Sequence, residues 1–439
     1  MIGNLKERIK MMQQWFEDAK LGIFIHWGIY AVKGVSESWS FYHGSISYED
    51  YMKQCDGFTA KNYDPEYWAE LFKNIGAKYA VLTTKHHDGV ALWDTKLSDL
   101  NVVKKTPAGK DLVRPFAEAM RKEGIKVGLY FSHIDWSHPD YASILREDER
   151  EAGESFKKHK YTHPEGEEDF EAWERFLKFH RGQLEELMTN FAPVDLLWFD
   201  GDWEKSAQQW RMKELREFLH KLNPNVVLNS RMWGYGDYKT PEQGIPIIRP
   251  EGPWEFCVTI NDSWGYQHKD KNYKSVRQLI RMFADCIGMG GNMLLDIGPM
   301  EDGSIDKEQE KRLLGLGEWI NKHKEAIYET KAGLPLGHFY GPTTLSKDNK
   351  TLYLFCFDKP YDDIPVKGIR NKIKKISVLG SEKELSYKKI GGAPWVNIPG
   401  ILWIDVEDEF IDKNCTVIKV EFEEELDLYR EAGQNIELN

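Results

Sequence analysis

The chain has 439 residues, more than one core of average size accommodates, and this length predicts about two domains. It is 41% hydrophobic and 30% charged, as is ordinary for a soluble globular protein, and its 13% aromatic content suits core packing or sugar-binding clefts equally. The formal net charge of −12 and the lack of a basic stripe argue against nucleic acid and anionic membranes as partners.

The cysteines and the N-terminal stretch indicate the compartment. The five cysteines are widely spaced without a CxxC pair, so neither a disulfide framework nor a zinc knuckle is predicted. The first twenty residues are amphipathic and lack the apolar core of a secretory signal, and no apolar run of roughly 18 residues follows. We therefore expect a cytoplasmic protein without a membrane span; the sequence leaves the oligomeric state open.

Apolar segments and helical patterns alternate over roughly the first 330 residues. Strands are predicted at 21–28, 78–89, 126–132, 194–203, 225–233 and 291–299, because these segments are apolar on both alternating sets of positions. Helices are predicted at 65–76, 111–124, 168–191, 207–222, 275–288 and 306–329. No glycine-rich dinucleotide loop follows the first strand, so the alternation favours a TIM-like (β/α) barrel of seven or eight strands over a doubly wound sheet.

The pattern changes after about residue 332. Short alternating runs separated by Gly, Pro and Asn lie at 351–357, 375–380, 401–406 and 415–424, and they predict a small antiparallel β-sandwich. We therefore predict a catalytic (β/α) barrel domain over residues 1–332 and a C-terminal β-sandwich domain over residues 333–439.

Each of the first five predicted strands ends in histidine, aromatic or charged residues. In a barrel these ends meet on one face, where active sites lie. A single histidine such as His26 is more typical of a structural role. Neighbours such as His86 and His87 point to opposite faces of a strand unless the strand is ending. The residues at the five strand ends include His26, Trp27, Lys85, His86, His87, Asp88, Tyr130, Ser132, Asp200, Asp202, Trp203, Asn229, Arg231 and Trp233.

The chemistry of these strand ends favours sugar cleavage. The first strand carries one histidine rather than the HxH of metal hydrolysis on a barrel, and neither a phosphate-binding glycine loop nor a dinucleotide motif is evident. A carboxylate pocket with histidines, an arginine and tryptophans remains. Retaining glycosidases use two carboxyls about 5 Å apart. Asp200 is one candidate, whereas Asp202 is more typical of a helix cap or a supporting group.

Six collinear motifs identify a known family. Together they resemble the α-L-fucosidases of glycoside hydrolase family 29. The resemblance implies a catalytic (β/α) barrel with a C-terminal β-sandwich, retaining hydrolysis of terminal α-L-fucose from oligosaccharides, and no metal or organic cofactor. The motifs are "GIFIHWGIYAV", "KHHDGVALW", "LWFDGDW", "NSRMWGYGDYKTPEQ", "WEFCVTINDSWGY" and "GGNMLLDIGPMEDGSI".

The resemblance also implies roles for single residues. The nucleophile of the family falls on Asp200, and its acid/base is best matched by Glu242, with Glu255 and Glu251 as competitors. Glu255 is counted as a substrate-site residue, with orientation of Arg231 or a histidine as its alternative role. The other expected substrate-binding residues are His26, Trp39, His86, His87, Tyr130, Arg231 and Trp264.

Finer specificity stays open at this level. The "TPEQ" and "WEFCVTINDSWGY" phrasing resembles the branch of the family that favours α-1,3/4-linked fucose on branched oligosaccharides. The alternatives are a related specificity such as α-L-galactosidase, a non-catalytic fucose-binding protein, and a metal-dependent amidohydrolase.

Overall fold

Parallel strands that begin the chain's β/α units form one curled sheet in the computed structural model, which describes residues 12–141, 169–381 and 383–431. Within these ranges the strands of the sheet are β1 (Leu21–Ile25), β2 (Tyr79–Lys85), β3 (Lys126–Ser132), β4 (Leu196–Asp200), β5 (Val227–Leu228), β6 (Glu255–Thr259) and β7 (Asn292–Ile297). These seven strands lie in the order β5-β4-β3-β2-β1-β7-β6. The TIM-like architecture predicted from the sequence is confirmed.

Strand β6 was not predicted from the sequence, although it lies inside a motif used to identify the family. Its segment "EFCVT" begins with a carboxylate and ends with a hydroxyl, so it does not stand out as an apolar run. The whole strand is nevertheless buried. Buried polar side chains are tolerated when they are hydrogen-bonded, and Glu255 accepts such bonds from its neighbours.

Helices follow most strands, and several of them begin at capping residues. Asp169 and Ser275 cap two of the helices by accepting hydrogen bonds from backbone N–H groups. The predicted helix 207–222 is broken at Arg211, which adopts a left-handed conformation. The helices are α1 (Gln14–Ala19), α2 (Trp39–Tyr42), α3 (Tyr48–Met52), α4 (Pro65–Asn74), α5 (Val102–Lys105), α6 (Val113–Lys122), α7 (Phe170–Asn190), α8 (Ala207–Trp210), α9 (Met212–Leu222), α10 (Val276–Gly288) and α11 (Lys307–Lys322).

An irregular segment, residues 237–243, lies between the edge strands β5 and β6. On one side the N–H of Asp237 donates to the carbonyl of Leu228 at 2.7 Å. On the other side the N–H of Cys257 donates to Pro241 and the N–H of Gln243 donates to Cys257, at 3.1 and 3.0 Å. These backbone bonds hold the segment at the rim of the sheet, and Glu242 lies within it.

Aromatic side chains fill the interior of the curled sheet. Phe24, Tyr79, Tyr130 and Trp198 belong to one buried cluster. Since residues two apart on a strand share a face, Phe24 points to the same side as His26, and Trp198 to the same side as Asp200. The aromatic core therefore lies directly beneath the polar residues at the strand ends.

The C-terminal part of the described chain contains two antiparallel sheets. The strands are β8 (Thr330–Ala332), β9 (Thr343–Ser346), β10 (Thr351–Cys356), β11 (Ile364–Val366), β12 (Ile373–Val378), β13 (Tyr387–Ile390), β14 (Ile401–Ile404) and β15 (Thr416–Phe422). They lie in the orders β12-β15-β10-β9-β8 and β11-β14-β13, and buried, mostly aliphatic side chains from both sheets form one core cluster.

Backbone contacts divide the chain into two compact units. The first contains residues 1–244, 252–274 and 294–314, and the second contains residues 245–251, 275–293 and 315–439. The predicted boundary between residues 332 and 333 follows directly on the last residue of β8. The two domains as delimited from the sequence stay a prediction.

None of the helices in the described ranges has both the length and the apolar character required to cross a membrane. Residues 1–11, which form part of the N-terminal stretch used to predict the compartment, lie outside those ranges. The cytoplasmic location stays a prediction.

Candidate active site

A cavity of about 240 Å³ opens at the carboxyl ends of the parallel strands. Most of the predicted site residues line it, because they end or follow different strands of the same sheet. Its lining residues are Phe24, His26, Glu37, Trp39, His86, Tyr130, Trp198, Asp200, Trp203, Arg231, Glu242 and Trp264.

Asp200, the last residue of β4, is held by two side chains and lies near a third. Its Oδ1 accepts a hydrogen bond from Nη1 of Arg231 at 2.6 Å, and its Oδ2 accepts one from the hydroxyl of Tyr130 at 3.0 Å. Nε2 of His87 lies 3.6 Å from the same Oδ2. The carboxylate is therefore oriented on both of its oxygens.

The pKa of Asp200 is lowered although the residue is largely buried. Burial by itself raises the pKa of a carboxyl, because it removes water from the charged form. The charge of Arg231 and the hydrogen bonds from Arg231 and Tyr130 outweigh burial here, and the pKa falls below its usual 3.8. Asp200 is consequently an anion at neutral pH.

Arg231 bonds two carboxylates at once. Its Nη1 donates to Asp200, and its Nη2 donates to Oε2 of Glu242. The guanidinium lies over the ring of Trp198, 4.7 Å from the ring centroid, which adds a cation–π contact. Two acidic side chains are thereby held beside one cation at the cavity.

Glu242 is the more accessible carboxylate of this pair. Its side chain is 40% exposed, whereas that of Asp200 is 13% exposed. The backbone around it is hydrogen-bonded to β6 on both sides, as described above. The carboxylate therefore lies at the rim, where it meets both the cavity and solvent.

Two cavity histidines are oriented through Nδ1. Nδ1 of His26 lies 2.6 Å from Oδ1 of Asp296 in β7, and Nδ1 of His86 lies 2.7 Å from the hydroxyl oxygen of Ser38. Burial lowers the pKa of His26 to about 3 and that of His86 well below its usual value, so both rings are neutral. Each ring keeps Nε2 for other partners.

His87 is brought to Asp200 but is not among the residues that line the cavity. Its Nδ1 lies 2.5 Å from the hydroxyl oxygen of Ser132, and that hydroxyl donates to the carbonyl of Ile134. Nδ1 therefore carries the proton. Burial lowers the pKa of His87 to about 4, so the ring is neutral and Nε2 is a lone pair. Within the described residues this Nε2 has no hydrogen-bond partner.

Glu255 is not brought to the cavity. It is fully buried, and its carboxylate accepts hydrogen bonds from the hydroxyl of Tyr79 at 2.5 Å and from Nε1 of Trp198 at 2.8 Å. The hydroxyl of Tyr238 lies 3.4 Å away. In this structure Glu255 supports the tryptophan on which Arg231 rests.

Asp202 is likewise turned away from the cavity. Its Oδ2 accepts a hydrogen bond from the backbone N–H of Trp233 at 2.9 Å, and its carbonyl accepts one from the indole N–H of Trp233. The supporting role suggested by the sequence agrees with these contacts.

Four lining residues were not singled out as site residues from the sequence. Glu37 is buried, accepts a hydrogen bond from the N–H of Gly265 at 2.6 Å, and has its pKa raised by burial to about 7. Its proximity to Trp39 in the chain was the available signal. Phe24 and Trp198 each precede a predicted site residue, His26 or Asp200, by two positions. Residues two apart on a strand share a face, so the sequence could have indicated both. The fourth, Trp203, was named among the strand-end residues but was not assigned a role.

The aromatic lining has an inner part and an outer part. The ring of Trp264 lies 5.0 Å from that of His26. Trp39 and Trp203 are nearly parallel, with ring centroids 6.3 Å apart, and Trp203 is 36% exposed. Flat apolar faces therefore extend from the interior to the mouth of the cavity.

In the portion of the chain that the structure describes, no group of three or more His, Cys, Asp or Glu side chains is arranged to hold a metal ion.

Sequence comparison finds alpha-L-fucosidases among the relatives of this chain. The family profile described as alpha-L-fucosidase matches residues 4–325. Tissue alpha-L-fucosidase of Bos taurus is 30% identical over 403 residues, which cover 85% of this chain and 81% of that protein. Tissue alpha-L-fucosidase of Homo sapiens is 34% identical over 346 residues, which cover 72% of this chain and 69% of that protein.

Solved structures agree with the sequence comparison. Alpha-L-fucosidase isoenzyme 1 from Paenibacillus thiaminolyticus has a TM-score of 0.83 and 34% identity, covering 96% of this chain and 100% of that one. An alpha-L-fucosidase GH29 from Bacteroides thetaiotaomicron, solved as a covalent intermediate trapped with 2-fluoro-fucosyl fluoride, has a TM-score of 0.80 and 28% identity. That match covers 93% of this chain and 95% of the other.

The environment of Glu255 predicts a specific pH dependence of stability. Burial raises its pKa from the usual 4.5 to about 7, against the lowering effect of its hydrogen bonds. Between these values the folded protein retains a proton that the unfolded chain releases, so the free energy of unfolding falls as the pH rises. At about 1.4 kcal/mol per pKa unit, the loss is about 3 kcal/mol.

Glu255→Gln imitates the protonated acid and should remove this loss. Denaturant unfolding of the wild type and of Glu255→Gln at pH 5 and pH 7.5 measures how much the free energy of unfolding changes between these pH values. Glu251→Gln, at an exposed position, is the matched control. The advantage of Glu255→Gln over the wild type should grow with pH. If the free energies of unfolding of the two proteins changed equally with pH, the raised pKa of Glu255 would be contradicted.

Proposed function

The chain belongs to the alpha-L-fucosidase family of glycoside hydrolases, and on that premise we propose that it releases terminal α-L-fucose by double displacement, with Asp200 as nucleophile and Glu242 as acid/base. The observation that carries the proposal is the bonding of Asp200 and Glu242 to the two terminal nitrogens of Arg231 beside one cavity. Retaining glycosidases require two such neighbouring carboxyls.

Asp200 has the properties of a nucleophile. Its lowered pKa keeps it ionised, and Arg231 and Tyr130 hold its two oxygens in place before substrate arrives. In the first step its carboxylate oxygen forms a bond to C1 of the sugar as the bond from C1 to the leaving oxygen breaks. The relative from Bacteroides thetaiotaomicron, trapped as a covalent intermediate with a fluorinated fucosyl donor, supports this step.

Glu242 is positioned for proton transfer on the solvent side. In the first step its carboxyl donates a proton to the leaving oxygen; in the second it removes a proton from the water that attacks C1. Its partial exposure suits both tasks, since leaving group and water enter or leave through the mouth. Glu255 lacks any route to the reacting atoms, because it is fully buried and bonded to aromatic side chains.

The rest of the lining suits a deoxy sugar. His26, His86 and Glu37 present polar groups that can bond sugar hydroxyls, and Phe24 and Trp264 present apolar faces that suit a methyl group. A buried polar group left without its hydroxyl partner costs binding energy, so these residues select for hydroxyl positions.

For the aglycone we propose preference for α-1,3/4-linked fucose on branched oligosaccharides. The exposed faces of Trp203 and Trp233, 36% and 46% exposed, support this extension of the sequence expectation. Asp202 bonds the backbone of Trp233 and so holds that ring in the turn after β5. Apolar faces of neighbouring sugars pack on such rings.

Labelling tests the nucleophile. After reaction with 2-deoxy-2-fluoro-fucosyl fluoride, mass spectrometry of a proteolytic digest should place the adduct on the peptide that contains Asp200. Asp200→Asn should lower kcat by about three or more orders of magnitude, since binding energy cannot replace the reacting atom. Asp202→Asn is the matched control and should stay within about tenfold of the wild type. An adduct on a different peptide would refute the assignment.

Chemical rescue tests the acid/base. Glu242→Ala should be strongly impaired on natural linkages, much less impaired on aryl fucosides with good leaving groups, and reactivated by azide, because azide replaces the base-activated water. Glu255→Gln and Glu251→Ala, which alter the two competing glutamates, should show no azide effect. If azide reactivated a Glu255 or Glu251 variant and not the Glu242 variant, the acid/base role would belong to that other glutamate.

Substrate comparison tests the linkage preference. The kcat/KM for a Lewis-type trisaccharide should exceed that for an aryl fucoside. Trp203→Ala should reduce the trisaccharide value roughly threefold to tenfold more than the aryl value, from the loss of one aromatic contact. Faster turnover of the aryl fucoside by the wild type would count against the preference.

A further inference from the structure

Behind the cavity, three polar side chains form a continuous hydrogen-bonded chain. Nη1 of Arg181 lies 2.8 Å from Nδ1 of His180, Nε2 of His180 lies 3.0 Å from Nδ1 of His133, and Nε2 of His133 lies 3.1 Å from the carbonyl oxygen of Arg231. Both histidines are fully buried, and neither lines the cavity. We call Arg181, His180 and His133 the histidine relay.

The two ends of the histidine relay dictate the direction of every hydrogen bond in it. A guanidinium has only donors, so Nδ1 of His180 must accept and Nε2 of His180 must carry the proton. That proton is donated to Nδ1 of His133, which leaves the proton of His133 on Nε2. Nε2 then donates to the carbonyl of Arg231, which can only accept. One arrangement of two neutral rings therefore satisfies all four groups.

Burial favours the same uncharged state. It lowers the pKa of His133 to about 3 and that of His180 well below its usual value, and the neighbouring charge of Arg181 acts in the same direction. A protonated ring in either position would place two N–H groups against each other. The histidine relay is consequently a single, directional arrangement.

His133 connects the backbone of both charged partners at the cavity. Its own N–H donates to the carbonyl of Asp200 at 2.8 Å, while its ring donates to the carbonyl of Arg231. The ring is also stacked on Phe199, with centroids 4.5 Å apart and an interplanar angle of 11°. His133 therefore links the backbone of Asp200 to the backbone of Arg231 by two hydrogen bonds.

Arg231 needs such a support because the strand before it is short. β5 comprises two residues and ends at Leu228, so Arg231 lies in the turn beyond the ladder of the sheet. That turn includes Trp233 in a left-handed conformation. The guanidinium can align with Asp200 only if the backbone that carries it is held.

We propose that His133 is a positioning residue: its Nε2–H, fixed by the histidine relay, holds the backbone of Arg231 so that the guanidinium aligns Asp200 for attack on the sugar. This inference rests on the proposed function, in which Asp200 is the nucleophile. It concerns a residue outside the cavity that acts through Arg231.

Two substitutions at one position separate the hydrogen bond from the volume of the ring. His133→Phe retains a flat ring for Phe199 but removes both nitrogens, whereas the amide of His133→Gln can still donate to the carbonyl of Arg231. The readouts are the limiting rate of inactivation by 2-deoxy-2-fluoro-fucosyl fluoride, which reports attack by the nucleophile, and the Kd of fucose from calorimetry. Melting temperatures of the variants report whether each is folded.

His133→Phe should slow inactivation about 10- to 100-fold, the range expected for a small misplacement of reacting groups, while the Kd of fucose changes less than about threefold. His133→Gln should recover most of the rate. Inactivation of His133→Phe at the wild-type rate would overturn the inference, as would equal losses in both variants. If the wild type is labelled elsewhere than on Asp200, the proposed function fails; if it is labelled there, an unaltered His133→Phe rate refutes this inference alone.

A measurement on the unaltered protein covers the case in which His133→Phe does not fold. Long-range ¹H–¹⁵N spectra of histidine-labelled wild-type protein at neutral pH distinguish the two tautomers and the imidazolium. Both His133 and His180 should be neutral Nε2–H tautomers. An Nδ1–H tautomer or a charged ring at either position would overturn the inference.

Discussion

The guanidinium of Arg231 holds two acidic side chains, Asp200 and Glu242, beside one largely buried cavity. It keeps Asp200 ionised against the effect of burial, and it also contacts the more exposed Glu242. Its planar fork suits this task, because two nitrogens can meet two separate oxygens in fixed directions. Without the cation, burial would favour protonation of Asp200, and the proposed function requires this group as a carboxylate.

Arg231 is in turn supported at its guanidinium by Trp198 and at its backbone by His133. Below it lies Trp198, whose indole N–H is bonded to Glu255, so a buried carboxylate stabilises the ring under the guanidinium. Behind it, His133 bonds its carbonyl. These supports lie on, or directly after, three different strands, and each is buried. Polar groups in such surroundings are costly to leave unpaired, which makes the arrangement rigid.

The sequence was a good guide to the repeating part of the molecule and a weaker guide to the irregular part. The first four strands and the helices at 65–76, 111–124 and 275–288 follow from apolar periodicity with errors of a few residues at most strand and helix ends. Strand β6 and the backbone of 237–243 do not, since β6 carries a buried glutamate and the segment is held by contacts to two strands rather than by its own pattern.

The sequence by itself determined the family, the (β/α) architecture, and which strand ends carry chemically capable residues, because apolar periodicity and the position of a residue at a strand end are local properties of the chain. Only the tertiary structure decided that Glu242 rather than Glu255 shares a cation with Asp200 at the cavity, and that Glu37 joins its lining. Burial and hydrogen bonding there arise between residues far apart in the chain. A glutamate that faces solvent and one that lies under a tryptophan therefore look alike in the sequence.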